Sequence, residues 1–260
     1  VSRVKPIIVL KSGRSPSGAK AASSHTGSMA GEDAIYSSAF KRTGIVRVWT
    51  FEELFDCAEL LAKQPRPPTP DLAVVTNAGG MGVIAMDSLN DHGVDPVRLE
   101  QATIAELDEE LPANWSRSNP VDIRGDATPE QYRKAAEILR QANEVKGLLF
   151  IHVPQAISAP VEVARALVEV LAHRSFPVIT SWMGGEESER AREVFHRANI
   201  PTFDSVERAV RAFMDLYSYA RNLEALQEVP PKLSGSLEID RDAAQRIIDL
   251  GCSASPPRLT

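Results

Sequence analysis

The chain has 260 residues, 43% of them apolar and 25% charged, with a formal net charge of −6. Such a chain packs one large domain or two of ordinary size, and its negative balance argues against a general nucleic-acid surface and an anionic membrane. No run reaches the ~18 apolar residues of a membrane span and no signal peptide is seen, so the cytoplasm is the expected location.

Val1 is not a methionine and an apolar strand, residues 7–10, arrives almost at once, as expected of a piece of a longer protein. Next comes SGRSPSGAKAASSHTGSMAG, residues 12–31, built from Gly, Ser, Ala and Thr around one imidazole, His25. It reads as a pliable loop ahead of a helix over residues 30–40, with Ile35, Ala39 and Phe40 on one face. A helix start presents free N–H groups and the positive end of its dipole, which favour an anion. Ser24, Thr26, Gly27 and Ser28 supply hydroxyls and open N–H groups suited to phosphate oxygens. A neutral imidazole there can act as a nucleophile, although an ordinary hydrogen-bonded loop histidine has the same appearance. Gly13 and Gly18 have P-loop spacing, but Ala19 intervenes before Lys20 and Ala21 stands where the Mg²⁺-binding hydroxyl belongs.

A short strand, 45–49, and a helix, 51–62, follow, with Thr50 and Glu53 as a capping-box pair. Leu54, Phe55, Ala58, Leu61 and Ala62 form its apolar stripe, and Cys57 reads as packing. Two strands and two helices make only the second half of a parallel-sheet domain, so residues 1–63 read as the end of a domain whose first strands are missing. Residues 64–70, QPRPPTP, read as a linker.

From residue 71 to about 223 strand and helix alternate more fully. Strands are expected at 72–75, 97–99, near 119–123, and at 147–153, 177–180 and 203. Helices are expected at 83–89, 102–109, 129–143, 161–172, 187–198 and 205–219. About five parallel strands imply a flavodoxin-like sheet. Asn77-Ala78-Gly79-Gly80-Met81-Gly82 lies between a strand and a helix. Gly80-x-Gly82-x-x-Ala85 fits a dinucleotide fingerprint with Glu100 as ribose partner, and the same turn suits inorganic phosphate, a phosphoryl group or mere tight packing. The loop from Asp122 to Asp126 could face the same sheet edge; His152 reads as a satisfied core residue. Neither cysteine has metal-type spacing, and no metal ligand is assigned. The tail, 224–260, holds one helix, 241–250, before a disordered end.

SGRSPSGAKAASSHTGSMAG, TNAGGMGVIAMDSL and NPVDIRGDATPEQY together resemble the NDP-forming acyl-CoA synthetases, relatives of succinyl-CoA synthetase, over residues 6–223. The resemblance implies two flavodoxin-like domains and a relay. Acyl-CoA and phosphate exchange to acyl phosphate and CoA, and a histidine takes the phosphoryl group, releases the acid and passes the group to ADP or GDP. By position His25 matches that histidine, Thr26–Ser28 one anion-binding helix start, and Asn77–Gly82 the other. CoA and ATP/ADP with Mg²⁺ are then expected mainly in domains absent here. The partners expected are a CoA-binding domain, an ATP-grasp domain, a small carboxylic acid and further subunits. A regulatory acyl-CoA or nucleotide sensor of an acetyltransferase fusion, and a dinucleotide-binding domain using Gly80 and Gly82, are the alternatives.

Overall fold

The computed structural model describes residues 4–26, 32–172, 175–227 and 240–253. They form two compact units, residues 1–227 and 228–260. The first unit begins with β1 (Ile8–Leu10), α1 (Pro16–Thr26), α2 (Asp33–Thr43), β2 (Val46–Val48) and α3 (Phe51–Lys63). It continues through β3 (Leu72–Thr76), α4 (Gly79–Asp91), α5 (Gln101–Glu110), β4 (Val121–Asp122) and α6 (Pro129–Leu139). It closes with β5 (Gly147–His152), α7 (Pro160–Leu171), β6 (Val178–Trp182), α8 (Glu186–Arg197), β7 (Thr202–Phe203) and α9 (Val206–Gln227). In the second unit α10 spans Arg241–Ser253, longer than the expected 241–250; the end expected to be disordered, from residue 254, lies outside the described residues.

β1 and β2 pair in parallel as one small sheet, and the other five strands form a parallel sheet in the order β4-β3-β5-β6-β7. By chain order within that sheet this is 2-1-3-4-5, the flavodoxin-like winding. Helices must cover both faces, so the central strands are mostly apolar, and all residues of β3, β5 and β6 are buried, including the polar Thr76, His152, Thr180 and Ser181 toward their carboxyl ends. Ala73, Val75, Leu148 and Phe150 face Tyr132, Leu139, Val163 and Leu167. Leu72, Val74, Leu149 and Ile151 face Leu60, Leu89, Val210 and Phe213.

Several expectations are corrected. The stretch from residue 12 is not all loop. Gly13 turns the chain in the left-handed region at φ 70°, Ser15 Oγ accepts the Gly18 N–H at 3.1 Å, and Pro16 opens α1. His25 is therefore in the last turn of a helix. Ile35 and Ala39 are exposed and α2 buries no residue. In α3 the buried residues are Glu53, Asp56, Cys57 and Leu60, while Phe55 is 70% exposed. Of the expected stripe Leu54 and Leu61 pack against the core while Phe55, Ala58 and Ala62 are exposed, because two carboxylates share the inner face. They are answered by α9: Arg208 binds Asp56 through Nε at 3.0 Å and Nη2 at 2.8 Å, and Arg211 binds Glu53 at 3.1 Å. Glu53 completes no capping box, since its carboxylate takes the Trp49 N–H at 2.7 Å. A complete box occurs instead at Thr128 and Gln131.

No strand forms at 97–99. Beyond the two residues of β4, the edge of β3 is met by the Asn119 side chain, which accepts the Val74 N–H at 2.9 Å and donates to the Leu72 carbonyl at 3.1 Å. Helix α4 starts earlier than expected, and α6 ends at Leu139 rather than 143. Gln64, the first residue of the expected linker, is buried, accepting the Val178 N–H at 2.9 Å and donating to Asn199 at 3.2 Å. Helix α9 runs to Gln227. Val206, Val210, Phe213 and Leu216 cover the larger sheet, and Tyr219 and Leu223 join Val46, Val48 and Cys57 of the smaller one.

Candidate functional site

Parallel sheets bind ligands beyond the carboxyl ends of their strands, where the winding reverses. Here that crevice lies between β3 and β5. Asn77, directly after β3, is buried, and its side chain spans the gap: Nδ2 donates to the Val153 carbonyl at 2.8 Å and Oδ1 accepts the Val153 N–H at 2.9 Å. Beneath it Tyr132 is fully buried and donates to the Ile151 carbonyl at 2.8 Å. Burial holds that phenol well above its usual titration range, so it remains a neutral strut.

The chain then turns into α4. Thr76 Oγ1 accepts the Ala78 N–H at 3.0 Å and donates to the Ala78 carbonyl at 3.1 Å. That carbonyl also receives the N–H groups of Met81 at 2.9 Å and Gly82 at 3.2 Å. Gly79 and Gly80 keep N–H groups with no acceptor among the described residues. The expected phosphate-binding set divides accordingly. Gly79 and Gly80 offer donors, Met81 and Gly82 use theirs within the helix, and Asn77 uses its amide to brace the neighbouring strand.

The glycines have different neighbours. A Cβ at Gly80 would have nothing within 4 Å, so this residue fronts open space. A Cβ at Gly82 would meet Pro120 at 2.9 Å and Thr76 at 3.2 Å, so Gly82 permits packing rather than ligand approach. A Cβ at Gly79 would meet Asp122 Oδ2 at 2.7 Å. The Asp122 carboxylate thus stands beside Gly79, the first of the two residues with free N–H groups. It also accepts the Arg124 N–H at 2.9 Å and lies 3.7 Å from the Arg124 guanidinium. The loop after β4 does reach this edge, and Gly125 lies against Gln155 and the Asn77 carbonyl.

The dinucleotide pattern does not hold together. Gly82 is packed, and Glu100 is the N-cap of α5 rather than the end of a second strand. His152 is buried against Trp182, ring centroids 5.2 Å apart, and burial lowers its pKa to about 4. It was expected to be satisfied, yet its Nδ1 has no partner among the described residues. The start of α8 carries Glu186, Glu187 and Glu189, which repel an anion.

On the smaller sheet Ser24 is exposed in the last turn of α1. The side chains of His25 and Thr26, and the whole of Gly27 and Ser28, lie outside the described residues. Tyr132 and the bracing role of Asn77 escaped the sequence reading; an aromatic at the inner face of a capped helix was the available signal. Among the described residues no helix is long and apolar enough to cross a membrane.

Two family models match the chain, the succinyl-CoA ligase like flavodoxin domain over residues 1–61 and the Ligase-CoA domain over residues 72–227. The chain is 46% identical over 224 residues to an ADP-forming acetate–CoA ligase of Methanocaldococcus jannaschii, covering 85% of this chain and 32% of that protein. It is 36% identical to the alpha subunit of ADP-forming acetate–CoA ligase I of Pyrococcus furiosus, covering 85% of this chain and 48% of the subunit. Among solved structures, the dinucleotide forming acetyl-coenzyme A synthetase 1 of Ca. Korarchaeum cryptofilum, in complex with phosphate and ADP, matches with a TM-score of 0.82 and 36% identity. That match covers 86% of this chain and 49% of the other. The chain therefore spans between about a third and a half of these relatives. With both of its sheets matched in order, and the Ligase-CoA model alone accounting for more than half of its residues, the chain belongs to the NDP-forming acyl-CoA synthetases of the succinyl-CoA ligase superfamily.

Proposed function

We propose that this chain is the phosphoryl-relay part of an acid–CoA ligase that interconverts acyl-CoA, NDP and phosphate with acid, CoA and NTP. The observation that carries the reading is the pair of unanswered N–H groups of Gly79 and Gly80 at the head of α4, in the crevice where the sheet reverses. They suit phosphate oxygens, and the Asn77–Val153 brace holds them in place.

In this reading a nitrogen of the His25 imidazole attacks the phosphorus of an acyl phosphate. The P–N bond forms as the P–O bond to the acyl group breaks, and the acid leaves as its carboxylate. The group then passes from nitrogen to the terminal oxygen of an NDP. Gly79 and Gly80 steady the phosphoryl oxygens while it is on the histidine, with Ser24, Thr26, Gly27 and Ser28 on the other side. CoA and nucleotide bind on CoA-binding and ATP-grasp domains, in the same polypeptide or a partner subunit, and Mg²⁺ accompanies the nucleotide there. The substrate is a small carboxylic acid, the assembly is oligomeric and the setting is cytoplasmic.

The test joins the parent protein, with its ATP-grasp part, to γ-labelled NTP and Mg²⁺. Acid-labile, base-stable label on the chain, lost in His25→Ala, is the expected result. An unlabelled parent protein would overturn the relay and favour the regulatory sensor.

A further inference from the structure

A second feature stands at the other end of α4. The last turn of α2, the turn after α4 and one stripe of α9 enclose a cavity of about 730 Å³, within the range of small-ligand sites. Lys41 and Arg42 reach it from α2, His92 from the end of α4 and Arg221 from α9; Asp95 is the one acid among the described residues of its wall. In a chain of net charge −6 this is an unusual gathering. Several other cations of the molecule are neutralised, as Arg47 is by Asp33, Arg133 by Glu130, and Arg208 by Asp56, and those with no salt bridge among the described residues, such as Arg66, Arg98 and Arg165, do not line this cavity. Lys41, Arg42 and Arg221 form no salt bridge among the described residues.

Cations also gather at helix C-termini to meet free carbonyls. Here the carbonyls of Ala39, Phe40 and Lys41 already have donors. Thr43 Oγ1 reaches Ala39 at 2.7 Å, the Ile45 N–H reaches Phe40 at 2.9 Å, and the Gly44 N–H reaches Lys41 at 3.5 Å. The cations are left for something else. Arg221 is held with its guanidinium 5.9 Å from the centre of the Tyr217 ring, and Met214 gives the cavity an apolar patch beside that ring. His92 is fixed by its Nδ1, 2.7 Å from the Ser88 carbonyl.

We propose that this cavity binds an organic polyphosphate, its phosphates held by Lys41, Arg42 and Arg221 and its uncharged part lying on Tyr217 and Met214. The 13 residues of α4 place it roughly 18 Å from the Gly79–Gly80 turn, so it is a separate site. It does not depend on the relay reading.

Titration of the isotope-labelled 260-residue chain with inorganic pyrophosphate and with ADP, followed by NMR, tests the site. Gly44, Gly93 and the Arg221 side chain report on the cavity, and Gly79 and Gly80 on the turn. Both ligands should shift the cavity signals, ADP at several-fold lower concentration. Lys41→Gln with Arg221→Gln should weaken that response by about tenfold or more while leaving any shift at Gly79 and Gly80 in place. These side chains are solvent-facing, and the unperturbed remainder of the spectrum verifies folding. No cavity shift below about 1 mM, or an equal response in the double variant, overturns the site. ADP no tighter than pyrophosphate overturns the organic part of the proposal.

Discussion

Asn77 grips Val153 by both its N–H and its carbonyl, at 2.9 and 2.8 Å, and so ties the end of β3 to the end of β5. An asparagine has one donor group and one acceptor on the same short stem, which is what a backbone N–H and carbonyl together require. Neither aspartate nor alanine can do both.

Asn77→Ala should therefore leave two partly buried backbone groups unanswered and lower unfolding stability by about 1–3 kcal/mol, measured by urea denaturation. Phosphate binding at the α4 turn should weaken too, because the turn loses its anchor. A variant as stable as the parent would show that water replaces the brace.

Gly80 and Gly82 should behave in opposite ways. Gly80→Ala adds a methyl into open space within a helix, and stability should hold or rise slightly. Gly82→Ala pushes a Cβ against Pro120 and should cost about 1–3 kcal/mol, read as a lower thermal midpoint. If the relay reading is right, labelling of His25 should nonetheless fall in Gly80→Ala, since the methyl stands on the ligand's side.

Asp122 places a negative charge beside the donors proposed to hold phosphate. Asp122→Asn should raise phosphate affinity by roughly tenfold at low ionic strength and less at high salt, as calorimetric titration would register. Unchanged affinity would mean that the Arg124 guanidinium 3.7 Å away already cancels the charge.

Between α3 and α9, Asp215 is held up to about 7, above its ordinary 3.8, first by burial and then by the nearby Glu53 and Asp56 carboxylates, against the pull of Arg211. The folded state keeps this proton where the unfolded state has lost it. Stability from this group is therefore complete below pH 3.8 and lost as pH rises to about 7, with the full penalty above. Asp215→Asn should match the parent near pH 4 and exceed it at pH 8 by about 4 kcal/mol, shown by paired denaturation curves. A gap independent of pH would contradict the assignment.

The larger sheet was legible because apolar runs bounded by glycine and proline leave little choice for a buried parallel strand. The glycine turn was legible for the same reason, as a strand-to-helix junction. Position within the turn was not. Which N–H groups remain free depends on the register of α4, set by the Ala78 carbonyl. The inner face of α3 was hidden because Glu53 and Asp56 look solvated until Arg208 and Arg211 arrive from about 150 residues away. Helix α1 was missed because small residues suggested pliancy, while Ser15-Pro16 was the start signal that outweighed them. The brace that Asn77 makes is not legible in the sequence because its side-chain partner, Val153, is close only in three dimensions.

Helix α9 belongs to both layers at once, with Phe213 in one and Leu223 in the other. A single rod shared in this way transmits torque: twisting the smaller layer must strain the larger. Ser218→Pro, between the two sets of anchors, would act as a universal joint there, and the layers should then melt in two separate steps.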